Sequence, residues 1–245
     1  RSETADNTVR RRTGVVRQFF SHAVKRKLID ANPFTGLAAA VHGNVKRQRF
    51  VSREDITKAL DACPCAELRG VIALSRYGGL RIPSEAIRLT WQDIDLEAGR
   101  MTIHAPKTEH HEDGGVRFCP IFPELKPFIQ ELYDRASPGL DCPMSSSVLT
   151  RWNSPTQNIG TTFTKLLKRV GIVPWPKLFQ NLRATRQTEL LAQYPAKDVC
   201  DWLGNSETVA MKHYAMATSD SFDRAVRDNQ QPDCGSTRGS TGGSI

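Results

Sequence analysis

The sequence predicts a mainly α-helical chain with one small three-stranded antiparallel sheet. Three observations predict it. Apolar residues recur at helical spacing through most of the 245 residues. Helix start and stop signals punctuate them, among them Ser52-Arg53-Glu54-Asp55, Ser154-Pro155-Thr156-Gln157, Gly171 and Gly204. Only between Trp91 and Ile121 does the pattern break into short runs of strand type.

From Thr8 to Leu28 the residues Val9, Val16, Phe20, Val24 and Leu28 share one helical face. The other face carries Arg10, Arg11, Arg12, Arg17, Lys25, Arg26 and Lys27. A basic face is either solvated surface or a phosphate contact, and the density of arginine favours the second. Asn32-Pro33 ends this element. Residues 38–49 read as a linker that closes on Lys46-Arg47-Gln48-Arg49, with a domain boundary there. The capping box at Ser52 starts a helix through Ile56, Ala59 and Leu60. A second helix runs from Ala66 to Tyr77 and stops at Gly78-Gly79. Arg81 follows at once. Pro83 then opens a short helix through Ile87 and Leu89, so Arg81 is expected beside a helix N-terminus, where backbone N–H groups favour anions.

Trp91–Ile94, Arg100–His104 and Val116–Ile121 are the three expected strands, with Glu97-Ala98-Gly99 as the first turn. The second hairpin, Ala105 to Gly115, would carry Lys107 on a projecting arm. Helices resume after Pro123, with Phe128, Ile129, Leu132 and Tyr133 as the apolar stripe. Ser154 is the expected N-cap of a helix that buries Ile159, Phe163, Leu166, Leu167 and Val170. Asn181–Gln193, Ala196–Leu203, Ser206–Tyr214 and Asp220–Val226 complete the helical series. The Gly/Ser-rich tail, 229–245, is expected to be disordered.

Lys+Arg total 34 against 26 Asp+Glu, a net charge of +8, which favours a polyanionic partner. No apolar run is long enough to span a bilayer and no signal-peptide pattern opens the chain, so a cytoplasmic protein is expected. The chain opens at Arg1 rather than at methionine and is expected to be a fragment of something longer. The six cysteines are scattered, without the paired spacing of a zinc site, and read as reduced thiols. His110, His111, Glu112 and Asp113 read as a charged loop tip, and no metal or other cofactor is expected.

No phosphate loop, H-E-x-x-H helix, Ser/His/Asp set or paired metal-binding carboxylates appear. What remains is a cation set, Arg81, Lys107 and Arg183, preceding a lone tyrosine, Tyr214. A phosphodiester under attack gathers charge on its non-bridging oxygens, and two arginines can hold those oxygens bidentately without a metal. A lysine on a hairpin suits proton donation to a leaving 5′-hydroxyl. Tyrosine attack would store the phosphodiester covalently, so resealing needs no ATP. Each residue also has a structural alternative: Arg81 pairing with Glu85, Lys107 on the surface, Arg183 bracing Glu189, Tyr214 in a core.

GGLRIPSEAIRLTWQDID resembles the first arginine box of the tyrosine recombinase (phage integrase) family. LRATRQTEL resembles its second arginine box, and WLGNSETVAMKHY its leucine-glycine turn and nucleophile segment. The order and spacing match from about Phe50 to Arg227, and FFSHAVKRKLIDANPF resembles the end of the family's core-binding domain. The resemblance implies a tyrosine recombinase catalytic-domain fold over 50–228, after the end of a helical DNA-binding domain over 1–37. It implies Arg81 and Arg183 as phosphate-binding arginines, Lys107 as the hairpin lysine and Tyr214 as the nucleophile. Gln180 stands where the family has a histidine, and Asn205 where it has a histidine or tryptophan. Both can still hydrogen-bond a phosphate oxygen, but neither is an acid or base. The first box carries one extra residue, which points to Glu85 as its acidic partner. Tyr194 is the nearby rival nucleophile, and His213 could supply a proton function.

The implied activity is site-specific DNA recombination or integration through a 3′-phosphotyrosine intermediate. Its partners would be duplex DNA, clamped between the basic arm and the catalytic domain, and further copies of the chain in a tetramer. Arg11, Arg12, Lys25, Arg26, Lys46 and Arg47 are the candidate DNA contacts. The alternatives are a relative of the same fold that binds DNA without cutting it, a type IB topoisomerase, and a small helical enzyme that does not bind nucleic acid.

Overall fold

In a computed structural model of the protein, the described residues are 6–41, 47–105, 115–136, 143–152, 154, 157–213, 215–216 and 222–223. The chain divides into two compact units, Arg1–Arg49 with Pro174–Lys177, and Phe50–Val173 with Leu178–Ile245.

The first unit is built on α1, Asp6–Lys25. Asp6 in its first turn accepts from Arg10 Nε at 2.7 Å, which suits the positive end of the helix. Asn32 folds the following chain back onto the helix. Its Nδ2 donates to Arg17 O and Ser21 Oγ, both at 2.9 Å, and the Phe20 and Phe34 rings lie 5.1 Å apart. The helix stops at Lys25, three residues short of the expected Leu28, because Lys27 adopts a left-handed φ of 57° and ends the turn. Leu28 is accordingly exposed, as are Val15 and Phe19, and no α1 residue is fully buried. In the same unit Arg49 stacks over the Trp175 ring at 5.2 Å.

The second unit is organised around α3, Ala66–Arg76, which packs against α4, Lys126–Ala136, and α6, Leu178–Leu191. Nine of the eleven α3 residues are buried, Ser75 and Arg76 among them, and only Glu67 and Arg69 reach partly towards solvent. Before it, α2 (Arg53–Asp61) starts as expected: Ser52 Oγ accepts from Asp55 N at 3.1 Å. Leu68, Ile72 and Leu74 of α3, with Ile56, Leu125 and Phe163, form the centre of the core.

After α3 the chain departs from expectation. No helix follows Pro83; Ala86–Arg88 is a single 3₁₀ turn. The expected first strand is also mostly lost. Thr90 and Asp93 cap a second 3₁₀ turn, Trp91–Asp93, with Thr90 N and Oγ1 both donating to Asp93 Oδ2 at 2.9 and 2.6 Å. Only Ile94–Asp95 remains as β1. It pairs antiparallel with β2, Arg100–His104, which pairs with β3, Val116–Pro120, in the order β1-β2-β3. Met101 faces Cys119 across the β2–β3 register, and both are buried.

The helix expected from Ser154 begins a turn later. Gln157 folds its side chain back onto Arg151 O and Ser154 N, and Asn158 supplies the cap, accepting from Thr161 N at 3.0 Å. The resulting α5 is Ile159–Arg169. Then come α6, α7 (Ala196–Leu203) and α8 (Glu207–His213). Among the described residues no helix is long and apolar enough to cross a membrane. The 229–245 tail, the 106–114 hairpin tip and most of the expected last helix lie outside the described residues.

Gly79 shows how tightly this unit is closed. It takes φ +66° after α3, and a Cβ there would lie 2.4 Å from Leu203 Cδ2. Gly79→Ala is therefore expected to destabilise the protein by about 1–3 kcal/mol, from left-handed strain plus overpacking. Thermal melting would show it as a drop of roughly 2–10 °C.

Candidate active site

Two of the functional candidates, Arg81 and Arg183, meet at the end of α7. Its last carbonyls have no partner within the helix and carry the negative end of the helix dipole. Gly204 ends the helix in the left-handed region, with φ 66° and ψ 56°. Three consecutive carbonyls there each accept from a different arginine. Arg117 Nε donates to Trp202 O at 2.9 Å, Arg183 Nη2 to Leu203 O, and Arg81 Nη2 to Gly204 O at 2.6 Å. The three side chains come from β3, from α6 and from the loop after α3.

Glu85 sits between them with its side chain fully buried. Arg117 embraces it bidentately, Nη1 to Oε1 at 2.9 Å and Nη2 to Oε2 at 2.8 Å. Arg81 donates to it from Nη1 at 2.5 Å and from its backbone N at 2.8 Å. Arg183 Nη1 stands 3.8 Å from Oε2 and donates instead to Gly79 O at 2.6 Å. Burial alone would push the Glu85 carboxyl up. The hydrogen bonds and charge of Arg117, then the charges of Arg183 and Arg81, outweigh that and bring it down to about 2. Three guanidiniums share one carboxylate, so the cluster is net positive.

Arg81 is therefore brought to Arg183, but not to the N-terminus of a helix, since the loop after Pro83 makes only a 3₁₀ turn. The Arg81–Glu85 pair exists and is part of the cluster rather than an alternative to it. Glu189 braces Arg76, at 2.7 and 2.6 Å. Asn205 is half-buried just beyond the turn and forms a reciprocal amide pair with Gln187 of α6, at 3.1 and 3.4 Å. Gln180 is exposed on α6, one turn before Arg183. Lys107, Lys46 and Tyr214 lie outside the described residues, and so does the side chain of His213. The residues just after Tyr214 are tied down: Ala215 N donates to Ala210 O at 2.9 Å, and Met216 N to Thr188 Oγ1 of α6 at 3.1 Å.

Tyr194, the rival nucleophile, is 43% exposed and packs its ring edge-on against Trp202 at 5.2 Å. Cys119, a potential nucleophile on β3, is excluded at neutral pH because burial pushes its thiol up to about 11. Among the described residues no group of three or more His, Cys, Asp or Glu side chains could hold a metal. A groove of ≈ 980 Å³ opens beside the cluster, lined by Arg117, Phe118, Trp202, Gly204, Asn205 and Ser206 among others. In the first unit Arg11, Arg12, Lys25, Arg26 and Arg47 are all exposed.

Arg117 and Gln187 are the members of this constellation that sequence reasoning missed. Arg117 alternates with buried Cys119 on β3, so period-two spacing does put it on the buried face; only the pairing with Glu85 was unreadable.

Residues 49–220 match the family described as the Phage integrase family. The chain belongs to that family, the tyrosine recombinases. In Escherichia coli (strain K12) it is similar to IntQ, whose name marks it as a defective protein, with 33% identity over 88 residues. That match covers 34% of this chain and only 21% of IntQ. Among solved structures, the Tn1549 transposon integrase in complex with a circular intermediate DNA superposes with a TM-score of 0.68 at 20% identity, over 92% of this chain and 80% of that one. A lambda integrase dimer bound to a COC′ core site gives 0.61 at 19% identity, over 82% and 71%. The XerA recombinase gives 0.60 at 13% identity, over 89% and 84%. At these identities the structural likeness shows the fold: a mainly helical tyrosine recombinase catalytic domain with a small antiparallel sheet.

The depressed Glu85 carboxyl has a testable consequence. Its folded value lies below the ordinary 4.5, so its stabilisation is fully present above 4.5 and is lost as pH falls towards about 2. Glu85→Gln is expected to lower stability at neutral pH by about 3 kcal/mol or more, because three buried or half-buried arginines lose their counter-charge. Melting curves of both proteins across pH would show the gap widest at neutral pH and closing on acidification through that window.

Proposed function

We propose that this chain carries out site-specific DNA recombination, cutting and rejoining strands through Tyr214 without metal or ATP. The observation that carries the reading is the convergence of Arg81 and Arg183 on adjacent carbonyls of one turn, directly before the segment that bears Tyr214. Arg81 and Arg183 would hold the non-bridging oxygens of the scissile phosphate, where charge accumulates in the transition state. The Tyr214 hydroxyl would attack phosphorus and form a 3′-phosphotyrosine bond as the bond to the 5′ oxygen breaks. Lys107 would give the leaving 5′-hydroxyl its proton. Attack of a 5′-hydroxyl on the phosphotyrosine reseals a strand and releases the tyrosine, so bond energy is conserved. Asn205 and Gln180 would serve as neutral hydrogen-bond donors to the phosphate.

The exposed Arg11, Arg12, Lys25, Arg26 and Arg47, with Lys46, would contact the duplex backbone from residues 1–49, the end of a core-binding domain and its linker. Residues 50–228 would form the catalytic domain. Strand exchange would take place in the cytoplasm, within a tetramer of this chain on DNA. Gln180 and Asn205 favour one second reading, a relative that binds DNA but has lost cleavage.

Both readings are separated by incubating the chain with nicked duplexes of randomised sequence and resolving the products on a denaturing gel. The proposed activity gives a protein–DNA adduct that Tyr214→Phe abolishes while binding persists. An adduct undiminished in Tyr214→Phe, or none from the wild type, overturns it.

A further inference from the structure

Arg117 holds a place in the cluster that the proposed reaction does not use. It is nearly buried, and three of its N–H groups are directed at two different targets. Two of them meet both oxygens of Glu85, and the third meets Trp202 O at the end of α7. It thereby joins β3 to the loop carrying Arg81 and to the turn that leads into the Tyr214 segment. Gly204 is moulded against it: a Cβ there would lie 2.8 Å from Arg117 Cδ and 3.1 Å from Nε and Nη1. The side chain and the turn are interlocked.

This arrangement decides where the other two arginines send their charge. A buried carboxylate draws every nearby guanidinium towards it. Each Glu85 oxygen already accepts from both Arg117 and Arg81, so the attraction left for Arg183 is reduced. Arg183 stays 3.8 Å from the carboxylate, and its terminal nitrogens rest on the carbonyls of Gly79 and Leu203 instead. Neutral carbonyls hold a guanidinium in place while leaving its charge to act on an incoming phosphate.

On the reading that this is a strand-transfer site, we propose that Arg117 is a positioning residue. It neutralises and orients Glu85 and fixes the 202–204 carbonyls, so that Arg81 and Arg183 present their charge to the scissile phosphate. The groups facing Glu85 are Arg81 from its own loop, Arg117 and the buried Cys119 thiol from β3, Arg183 from α6, and the α7-end carbonyls. Cys119 stays protonated through neutral pH, so Glu85 is the group that can titrate when Arg117 is removed. Without Arg117 the carboxyl keeps its burial and loses its largest ionising partner, so it takes up a proton at higher pH than in the wild type.

The test uses the full chain and the randomised nicked duplexes, with adduct formation timed in single turnover from neutral to acid pH. Arg117→Met is expected to slow capture about 10²-fold, the scale of a misplaced catalytic group, while DNA affinity changes little. Part of its loss is regained as pH drops and Glu85 takes up its proton, over a range in which the wild-type rate does not rise. Adding Glu85→Gln removes that pH dependence, because no carboxylate remains to titrate. A merely structural role predicts a loss that is flat with pH and unaltered in slope by Glu85→Gln. Arg117→Lys restores the charge but not the fork, and is expected to recover the rate in part. Should circular dichroism show Arg117→Met unfolded, Arg117→Lys carries the test, with a slowed rate and an acid-side recovery expected. Wild-type capture with an unchanged rate, or a pH-flat loss, in the folded variant overturns the role of Arg117 alone. No capture by the wild type overturns the role and the strand-transfer reading together.

Discussion

The Glu85 carboxylate is the constraint on which the second unit depends. A buried carboxylate is costly unless it is paired and hydrogen-bonded. Here that requirement is met by Arg81 on the same loop and by the remote Arg117 and Arg183, so meeting it brings together the loop after α3, strand β3 and helix α6. The same arginines then supply the donors that the open end of α7 requires. One charge thus fixes the relative position of four elements, and removing it leaves cations facing each other at short range.

Helix α6 is the other half of this arrangement. Its buried residues include Asn181, Arg183, Thr185, Arg186 and Gln187, a composition that ordinarily marks a surface. Each described partner explains one of them. Thr185 Oγ1 accepts from Val51 N at 3.0 Å, Gln187 pairs with Asn205, and Arg186 bridges Glu124 at 3.2 Å and lies 4.3 Å over the Phe122 ring. Beside Arg186, Glu189 neutralises the buried Arg76 of α3. The helix therefore carries two separate cationic sites: Arg183 at the α7 turn, and Arg186 at an ion-paired flank that has its counter-charges built in. The two differ in surroundings: Arg183 rests on the carbonyls of Gly79 and Leu203 beside the shared Glu85, and Arg186 lies between Glu124 and Glu189.

Much of this was legible in the sequence because helices announce themselves locally. The Ser52 cap, the apolar α3 run and the Gly204 stop are each readable within a few residues. The misreadings were equally local competitions. Trp91–Ile94 has strand-forming residues, yet the Thr90–Asp93 side-chain pair offers the backbone a tighter turn. Ser154 carries the cap signal, yet Gln157 turns its amide back on the preceding loop and Asn158 caps the helix instead. The site was legible only in part, for a different reason. Arg81 and Arg183 stand out by motif, but whether Glu85 serves Arg81 alone or a wider cluster depends on how far β3 approaches. Arg117, on a period-two strand, says nothing about its partner, because the contact spans 32 residues of chain.

The amide pair Gln187–Asn205 bears on what kind of catalyst such a site can be. Asn205 is held by Gln187 of the same helix that delivers Arg183, so its position is fixed relative to that arginine. An amide in that place can donate a hydrogen bond to a charged oxygen, but it cannot take or give a proton. The same holds for Gln180. In the proposed reaction, stabilisation of the developing charge would rest on the arginines and amides. The proton inventory would fall to Lys107 and to Tyr214 itself. Charge stabilisation and proton transfer are separable contributions to a barrier, and the first is usually the larger. On the proposed reaction, a site that keeps its arginine cluster while amides stand at the acid–base positions would retain the greater share of its barrier lowering.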